Sequence, residues 1–430
     1  MKIIQICGLI EGAGITKYMN EMNIGFAQAG HDIKIYEFPT HDDCILTEKG
    51  NFNRKTYLFD YENHDMVKDI ESADVVLVHQ LMGKRADEDY KERFMSFIQN
   101  LSGPIKVLFF NDHSRTTTGF ARMYGHCLKD KEFLLSFNKY AIHCNCNAFY
   151  TAIEKCIGKE EAARRYVYMH HPHYFDPIHK ESWTKLENKH KRCTYIGRFL
   201  TTKHVENVFE LFKKIRNDYE FEVRGIDRLV QYIYIPDLFY DIDRSRRNIR
   251  GVDKDMIVGP STVTWLPNKT WRVKNGYDKN DWLIDAPHNN DRVWLFGTYE
   301  YKEGLAAINK SMFGMEFYRL PTADEHGHNL EYCMHEIIEQ GTVPIFDSFA
   351  MKSIKYFENG KPTDKSLFDM NIGLYLNPDL SNWEDVKKQM DELVNNPNLY
   401  EEYRNRAWNV LKEHLNPVAT VNQFLEDCLN

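Results

Sequence analysis

The chain has 430 residues, which is too long for one hydrophobic core and suits two domains of ordinary size. Hydrophobic residues make up 43% and charged residues 27%, a composition that excludes an intrinsically disordered protein. The net charge of −8 excludes a protein that is basic throughout, so any contact with nucleic acid would depend on local positive charge.

Three further features narrow the class of protein. No stretch approaches about 18 consecutive apolar residues, so no membrane span is expected. The segment from Met1 to Cys7 is expected to form a strand rather than a signal peptide. The cysteines are odd in number, at nine, and have no CxxC spacing, which indicates free thiols in a reducing compartment.

Short apolar runs alternate with helical segments through residues 1–170. Strands are predicted at residues 2–7, 33–38, 74–79 and 105–110, with further candidates at 140–144 and 166–169. Helices are predicted at 15–29 and 87–100. Continuous apolar runs of this length are typical of the buried strands of a parallel sheet. The pattern therefore predicts a doubly wound, Rossmann-like domain.

A second alternation follows residues 171–191, which are predicted to connect two domains. Strands are predicted at 193–196, 221–225, 292–296, 343–346 and 372–376, and helices at 205–216, 330–340, 383–394, 399–415 and 419–429. Residues 192–415 would form the second domain, with an insertion at 226–291, and residues 416–430 a C-terminal helix. The predicted fold class is α/β, with two Rossmann-like doubly wound domains facing an inter-domain cleft.

The first candidate motif is the glycine-rich segment from Gly8 to Lys17, after the first strand. Glycines allow the backbone to approach a ligand closely, and the following helix offers free N–H groups. The spacing is not the dinucleotide pattern GxGxxG. The alternative is a tight turn with a structural role only.

The second motif, Asn111-Asp112-His113, follows an apolar strand, where α/β proteins bind ligands. A carboxylate beside an imidazole can accept a hydroxyl proton or stabilise a cationic sugar centre. The alternative is that Asp112 caps the next helix.

The third motif places Arg198 and Lys203 just after the first strand of the second half, and such a pair of cations suits a diphosphate. The alternative is surface salt bridging.

The fourth motif is a helix that presents Tyr332, Glu336 and Gln340 on one face. A glutamate there can accept hydrogen bonds from both hydroxyls of a ribose. The segment from Lys310 to Gly314 lies upstream and is predicted to offer backbone amides to a phosphate.

Taken together, the four motifs resemble the alpha-glucosyltransferases of T4-type bacteriophages, GT-B enzymes that modify 5-hydroxymethylcytosine in DNA. The matching segments run in the same order along most of the chain: Glu11–Lys17, Asp112–Ser114, Ile196–Arg198 with Lys203, Lys310–Gly314, Leu330–Tyr332 and Glu336–Phe346. Each segment is short, and it is the shared order and spacing that carry the match.

The resemblance implies a retaining transfer from a UDP-sugar to the hydroxymethyl group. Asp112 would be the acceptor-side carboxylate, with Asn111 and His113 beside it. The residues implied in binding the UDP-sugar are Arg198 and Lys203 for the diphosphate, Glu336 for the ribose, and Gly12, Gly14, Ile15, Thr16, Ser311, Phe313, Gly314, Glu331 and Tyr332.

A base inside a duplex cannot present its hydroxymethyl group to a buried donor, so the enzyme would have to flip the nucleotide out of the helix. The arginines expected to bind DNA phosphates are Arg115, Arg122, Arg244, Arg246 and Arg247. For residues 244–250 the alternative is a solvated surface loop.

Two features depart from the family pattern. GT-B enzymes carry a second acidic residue eight positions before the ribose glutamate, and His328 stands there in this chain. The insertion at 226–291 is also longer, so the sugar, glucose or a pentose such as arabinose, stays open.

The expected partners are a UDP-sugar and double-stranded DNA containing 5-hydroxymethylcytosine. The protein is expected to be a monomer in the cytoplasm of the infected bacterial host, away from membranes. A divalent metal is compatible with the reaction but not required, and the histidines between His170 and His173 lack a metal-ligand pattern. Two alternatives remain: a GT-B glycosyltransferase acting on a cell-surface glycan or lipid, and a non-catalytic DNA- or sugar-binding module.

Overall fold

Two sheets, one from each half of the chain, organise the structure. The computed structural model describes residues 1–7, 14–37, 56–79, 88–110, 130–142, 147–197, 205–215, 217–224, 262–265, 271–274, 283–285, 292–296, 301–317 and 332–430. None of the helices in these ranges is long and apolar enough to span a lipid bilayer.

The first sheet has seven parallel strands. They are β1 (Lys2–Cys7), β2 (Asp32–Glu37), β3 (Thr56–Leu58), β4 (Val75–His79), β5 (Ile105–Phe110), β6 (Lys139–Ile142) and β7 (Tyr166–Tyr168). Their order is β3-β2-β1-β4-β5-β6-β7. The accompanying helices are α1 (Gly14–Gln28), α2 (His64–Glu71), α3 (Glu88–Asn100), α4 (Lys131–Leu135), α5 (Asn147–Ile157) and α6 (Lys159–Ala163). Because β1 lies in the middle and the chain winds outward in both directions, the sheet is doubly wound, as predicted.

Both faces of this sheet are buried. Ile4 and Ile6 of β1 belong to one hydrophobic cluster, which also contains Phe94 of α3. Ile3 belongs to a second cluster on the opposite face, together with Met22 of α1. Every residue from Ile3 to Cys7 is buried, and all of them except Gln5 are apolar. Such a nearly continuous apolar run is expected of a strand that is covered on both faces.

The second sheet repeats this arrangement. The helix α7 (Pro177–Glu181) lies in the connection, and the strands that follow are β8 (His190–Ile196), β9 (Glu220–Arg224), β10 (Thr262–Trp265), β11 (Trp271–Lys274), β12 (Leu283–Asp285), β13 (Arg292–Phe296), β14 (Ser311–Glu316), β15 (Val343–Asp347), β16 (Lys355–Glu358), β17 (Lys361–Ser366) and β18 (Leu374–Leu376). The sheet order is β12-β13-β9-β8-β14-β15-β18, and only the edge strand β12 is antiparallel to its neighbour. The prediction of two doubly wound sheets is confirmed.

Seven helices of the described residues follow β8. They are α8 (Val205–Ile215), α9 (Tyr301–Lys310), α10 (Tyr332–Glu339), α11 (Ser348–Ser353), α12 (Trp383–Asn395), α13 (Pro397–His414) and α14 (Pro417–Leu429). Two small antiparallel hairpins, β10–β11 and β16–β17, lie outside the main sheet. The predicted insertion at 226–291 contributes β10, β11 and the edge strand β12.

The last helix, α14, packs on the first sheet. Its residues Val421, Phe424 and Cys428 are buried in the same hydrophobic cluster as Met19 and Met22 of α1. We call the first sheet with its helices and α14 the N-terminal lobe, and the second sheet with α8 to α13 the C-terminal lobe. The chain therefore passes between the lobes twice, once through residues 169–189 and once at the start of α14.

Candidate functional site

Many of the predicted contact residues lie outside the described residues. They are Gly12, Asn111, Asp112, His113, Arg115, Arg122, Arg198, Lys203, Arg244, Arg246, Arg247 and Glu331. The strands that lead to the motifs are described: β1 ends at Cys7, β5 ends at Phe110 and β8 ends at Ile196. The roles of the residues outside the described ranges stay predictions.

The helix α1 begins at Gly14, so Gly14, Ile15 and Thr16 form its first turn. The free N–H groups of a helix start are suited to bind an anion, which is the contact predicted for these residues. Lys17, the next residue, is the first of this motif whose side chain is described.

Lys17 and Glu336 join the two lobes. The Lys17 Nζ atom lies 2.6 Å from the Glu336 Oε1 atom, and these residues belong to α1 and α10. The Glu336 side chain is only 9% exposed and that of Lys17 is 25% exposed. A partly buried ion pair is screened less by solvent than one on the surface, so it holds its geometry better. The predicted ribose carboxylate is thus placed at the junction of the lobes.

Tyr332 lies beside this pair. The Lys17 Nζ atom is 4.7 Å from the centroid of the Tyr332 ring, a cation–π contact. The ring also makes an edge contact with His171, with centroids 4.4 Å apart. Tyr332 and Glu336 are four residues apart on α10, so they share the helix face that the spacing predicted.

Helix α10 is buried from Met334 onward, and it carries more polar groups than the prediction named. His335 and Glu339 are buried beside Glu336. The helix ends before Gly341, which has a φ of +63° and takes the left-handed conformation expected of a helix C-terminus. The predicted helix and its glycine end are therefore confirmed.

His173 lies between carboxylates of both lobes. Its Nδ1 atom is 3.3 Å from Glu21 Oε1 on α1, and its Nε2 atom is 3.5 Å from Glu339 Oε2 on α10. Burial opposes the charged form of His173, but the two carboxylates outweigh it and raise its pKa to about 9. The residue is therefore an imidazolium at neutral pH and connects the lobes electrostatically.

Glu339 has two basic neighbours. Besides His173, it contacts His179 of α7, whose Nδ1 atom lies 2.6 Å from Glu339 Oε1. Burial opposes the ionisation of Glu339, but the two histidines hold its pKa well below its usual range. The contact with Glu339 in turn raises the pKa of His179.

His335 is different in character from His173. It is fully buried, its ring lies 5.0 Å from that of His173, and burial and the neighbouring cationic groups lower its pKa well below the usual value. Both ring nitrogens of His335 lack a hydrogen-bond partner among the described residues. It is therefore a neutral imidazole beside a charged one. The described residues contain no group of three or more His, Cys, Asp or Glu side chains arranged to hold a metal ion.

Ser311, Phe313 and Gly314 lie in β14, in the interior of the second sheet. Phe313 and Gly314 are paired with β8 on one side and β15 on the other, and Ser311 bonds to Thr194 and to the carbonyl of Ala307. In this position their backbone takes part in the sheet, and the phosphate contact predicted for them stays a prediction. The sequence interpretation missed this buried strand because Ser311, Gly314 and Glu316 interrupt its apolar run, although Met312, Phe313 and Met315 provided an apolar signal for it.

The sequence interpretation also missed the inter-lobe pairs. Lys17 belonged to a predicted motif without a role, and Glu21, His173 and Glu339 were not singled out for their charge. In the sequence each of them has the pattern of an ordinary charged residue in a helix or a connection. Only the packing of the lobes brings them together.

The fold is shared with known glycosyltransferases. No known family model matches the chain, and no curated protein matches it. A solved alpha-glucosyltransferase in complex with UDP-glucose and DNA containing an abasic site superposes with a TM-score of 0.73 at 16% sequence identity, covering 100% of this chain and 99% of that one. The same enzyme type in complex with UDP gives a TM-score of 0.72 at 16% identity, covering 100% of both chains.

A more distant likeness is found to Anabaena HepE in complex with UDP and glucose. Its TM-score is 0.52 at 9% identity, covering 99% of this chain and 98% of that one. At such low identities these likenesses show the fold, which is the GT-B arrangement of two Rossmann-like lobes.

Proposed function

We propose that this GT-B chain transfers a sugar from a UDP-sugar to 5-hydroxymethylcytosine in DNA. The observation that carries the proposal is the position of Glu336, a buried carboxylate on α10 that meets α1 of the opposite lobe. The complexes of the structural neighbours support the donor class, because they hold UDP or UDP-glucose. DNA is supported as the acceptor by neighbours bound to DNA, including one with an HMU base.

The donor would be held mainly by the C-terminal lobe. The Glu336 carboxylate would accept hydrogen bonds from both ribose hydroxyls, while Arg198 and Lys203 would neutralise the diphosphate. These two cations follow β8, a strand in the middle of the second sheet. Negative charge builds up on UDP as it leaves, so cations fixed beside it stabilise the transition state more than the ground state.

The acceptor would be activated by the N-terminal lobe. Asp112 follows β5, and its carboxylate would take the proton of the hydroxymethyl group as the new bond forms. The sugar carbon becomes oxocarbenium-like, and the acceptor would approach the face from which UDP leaves. Such a path retains the configuration and needs no covalent intermediate with the enzyme. The sugar is glucose or a pentose such as arabinose.

DNA binding by an acidic protein requires local positive charge. The arginines at 115, 122 and 244–250 would bind phosphates beside the flipped nucleotide, whose extrusion costs roughly a few kcal/mol. The reaction would occur in the cytoplasm of an infected bacterium, where donor and DNA are both present, and it requires only one copy of the chain.

The proposal is tested by mass spectrometry of oligonucleotides incubated with the protein and a panel of UDP-sugars. One duplex carries 5-hydroxymethylcytosine, and its matched control carries cytosine. We expect one sugar to be added to the first duplex only, and its mass identifies a hexose or a pentose. Donor turnover without any change in the DNA would contradict the acceptor and favour a glycan or lipid acceptor, and absence of donor turnover would contradict the enzyme.

A further inference from the structure

Lys17 stands out because it contacts the predicted ribose site from the opposite lobe. It lies at the end of the first turn of α1, directly after the glycine-rich segment. Its ammonium group approaches Glu336, which is 319 residues away in the sequence, to 2.6 Å. The contact exists only because the two lobes pack in this relative position.

Two residues of α10 hold the Lys17 ammonium group. Glu336 accepts its hydrogen bond, and the Tyr332 ring, with its centroid 4.7 Å away, lies one helical turn earlier on the same face. A cation that is bound at once by a carboxylate and an aromatic ring has little freedom to move. Its partner carboxylate is oriented in return.

The chemistry of a carboxylate allows Lys17 and a ribose to bind together. A carboxylate has two oxygens and about four acceptor positions, of which one ammonium N–H occupies one. The two vicinal hydroxyls of a ribose donate two hydrogen bonds, so ribose binding by Glu336 does not in itself require the Lys17 contact to break. The lysine then determines which edge of the carboxylate faces the nucleotide.

We propose that Lys17 is a positioning residue that orients the Glu336 carboxylate toward the two ribose hydroxyls of the donor. The inference rests on the proposed UDP-sugar activity and deepens it, because it makes ribose recognition by the C-terminal lobe depend on a residue of the N-terminal lobe. Nucleotide binding is thereby linked to the position of the helix that follows the glycine-rich segment.

Three variants separate this role from a general loss of structure. Lys17→Met removes the charge at similar side-chain length, and Lys17→Arg restores it. Lys34→Met is the matched control, because Lys34 also binds a carboxylate, Asp69, at 2.7 Å and lies 4.6 Å from the ring centroid of Tyr57. All three residues of that control cluster belong to the N-terminal lobe.

The measurement is isothermal titration calorimetry of each variant with UDP and with 2′,3′-dideoxy-UDP. For the wild type we expect UDP to bind at least about tenfold more tightly than the dideoxy analogue, as loss of hydrogen bonds to a charged group implies. In Lys17→Met this preference should fall to less than about threefold, through weaker binding of UDP alone. Lys17→Arg should recover most of the preference, and Lys34→Met should keep it.

The outcomes distinguish the inference from the proposed function. If the wild type binds no UDP, the proposed function fails. If the wild type binds UDP and Lys17→Met weakens both ligands equally, Lys17 only supports the packing of the lobes and the inference is overturned. Tighter binding of UDP by Lys17→Met would overturn it too, because Lys17 would then compete with the ribose.

Discussion

Glu21 and Glu339 face each other across the imidazole ring of His173, although they belong to different lobes. The two ring nitrogens lie 3.3 and 3.5 Å from the nearest carboxylate oxygens. The other Glu21 oxygen, Oε2, accepts a hydrogen bond of 2.7 Å from the backbone N–H of Tyr174. One positive charge in the connection between the lobes therefore holds an acidic side chain from each of them.

This arrangement predicts that stability falls as the pH rises above neutrality. The pKa of His173 is raised from its ordinary value to about 9 in the folded protein. Its contribution is therefore complete below about pH 6.5, the pKa of an unfolded histidine, and is lost as the pH rises through 9. The His179–Glu339 contact acts in the same direction because the pKa of His179 is also raised.

The test compares thermal unfolding of the wild type and His173→Gln between pH 6 and 10. The variant removes the cation that Glu21 and Glu339 share, while Glu339 keeps His179, and it should cost about 3 kcal/mol at pH 6 and much less at pH 10. His190→Gln, at an exposed histidine at the start of β8, is the control and should follow the wild type. A difference that stays constant over the range would contradict the charged state of His173.

A second prediction concerns the packing of α10 against the second sheet. A Cβ atom placed on Gly314 of β14 would lie 2.6 Å from the Ile337 Cγ2 atom on α10, which is too close. Gly314→Ala should therefore displace α10, cost about 1–3 kcal/mol of stability and weaken UDP binding. We expect the weaker binding to arise because Glu336 moves with the helix.

The double variant Gly314→Ala/Ile337→Ala tests that explanation, because alanine at position 337 lacks the Cγ1, Cγ2 and Cδ1 atoms that the added methyl group would meet. Since Ile337→Ala alone leaves a cavity, thermal unfolding and UDP titration should show that the double variant is more stable and binds UDP more tightly than the sum of the two single effects implies. Recovery of stability without recovery of UDP affinity would show that Gly314 influences the donor by some other route.

Asp112 is predicted to act in the transfer step rather than in donor binding. Asp112→Ala should lower kcat by about 100-fold or more, the usual contribution of a general base, and leave the Kd for UDP nearly unchanged. Single-turnover transfer to the hydroxymethylated duplex, with UDP calorimetry alongside, measures both. Full transfer by the variant would remove Asp112 from the mechanism.

Arg198, in contrast, is predicted to act in donor binding. Arg198→Ala should weaken UDP binding by about 10- to 100-fold, since a hydrogen bond to a charged group contributes about 1.5–3 kcal/mol. Arg164→Ala is the control, because Arg164 is 73% exposed on the N-terminal lobe. Equal UDP affinity of Arg198→Ala and the wild type would contradict the diphosphate assignment.

The starts of the last two helices could have been predicted more accurately from local sequence signals. Helices predicted to begin at 399 and 419 begin two residues earlier, at Pro397 and Pro417. In both cases an asparagine caps the helix: Asn396 accepts from the N–H of Leu399, and Asn416 accepts from those of Val418 and Ala419. An asparagine followed by proline is a favoured helix start, so this correction was available from the sequence.

The sequence by itself determined the two doubly wound sheets and the helix that carries Glu336. Buried parallel strands are apolar on both faces, and the apolar residues of a helix recur every three to four positions. Both signals are local in the sequence. The strand β14 was missed because Ser311, Gly314 and Glu316 interrupt its apolar run.

Only the tertiary structure decided which charges meet at the junction. Lys17 with Glu336, and Glu21 with His173 and Glu339, belong to segments that are far apart in the chain. A charged residue on a helix has the same local sequence pattern whether it faces water or another lobe. Its hydrogen-bond partners lie in distant segments, so the neighbouring sequence does not reveal them. The packing of the two lobes supplies those partners.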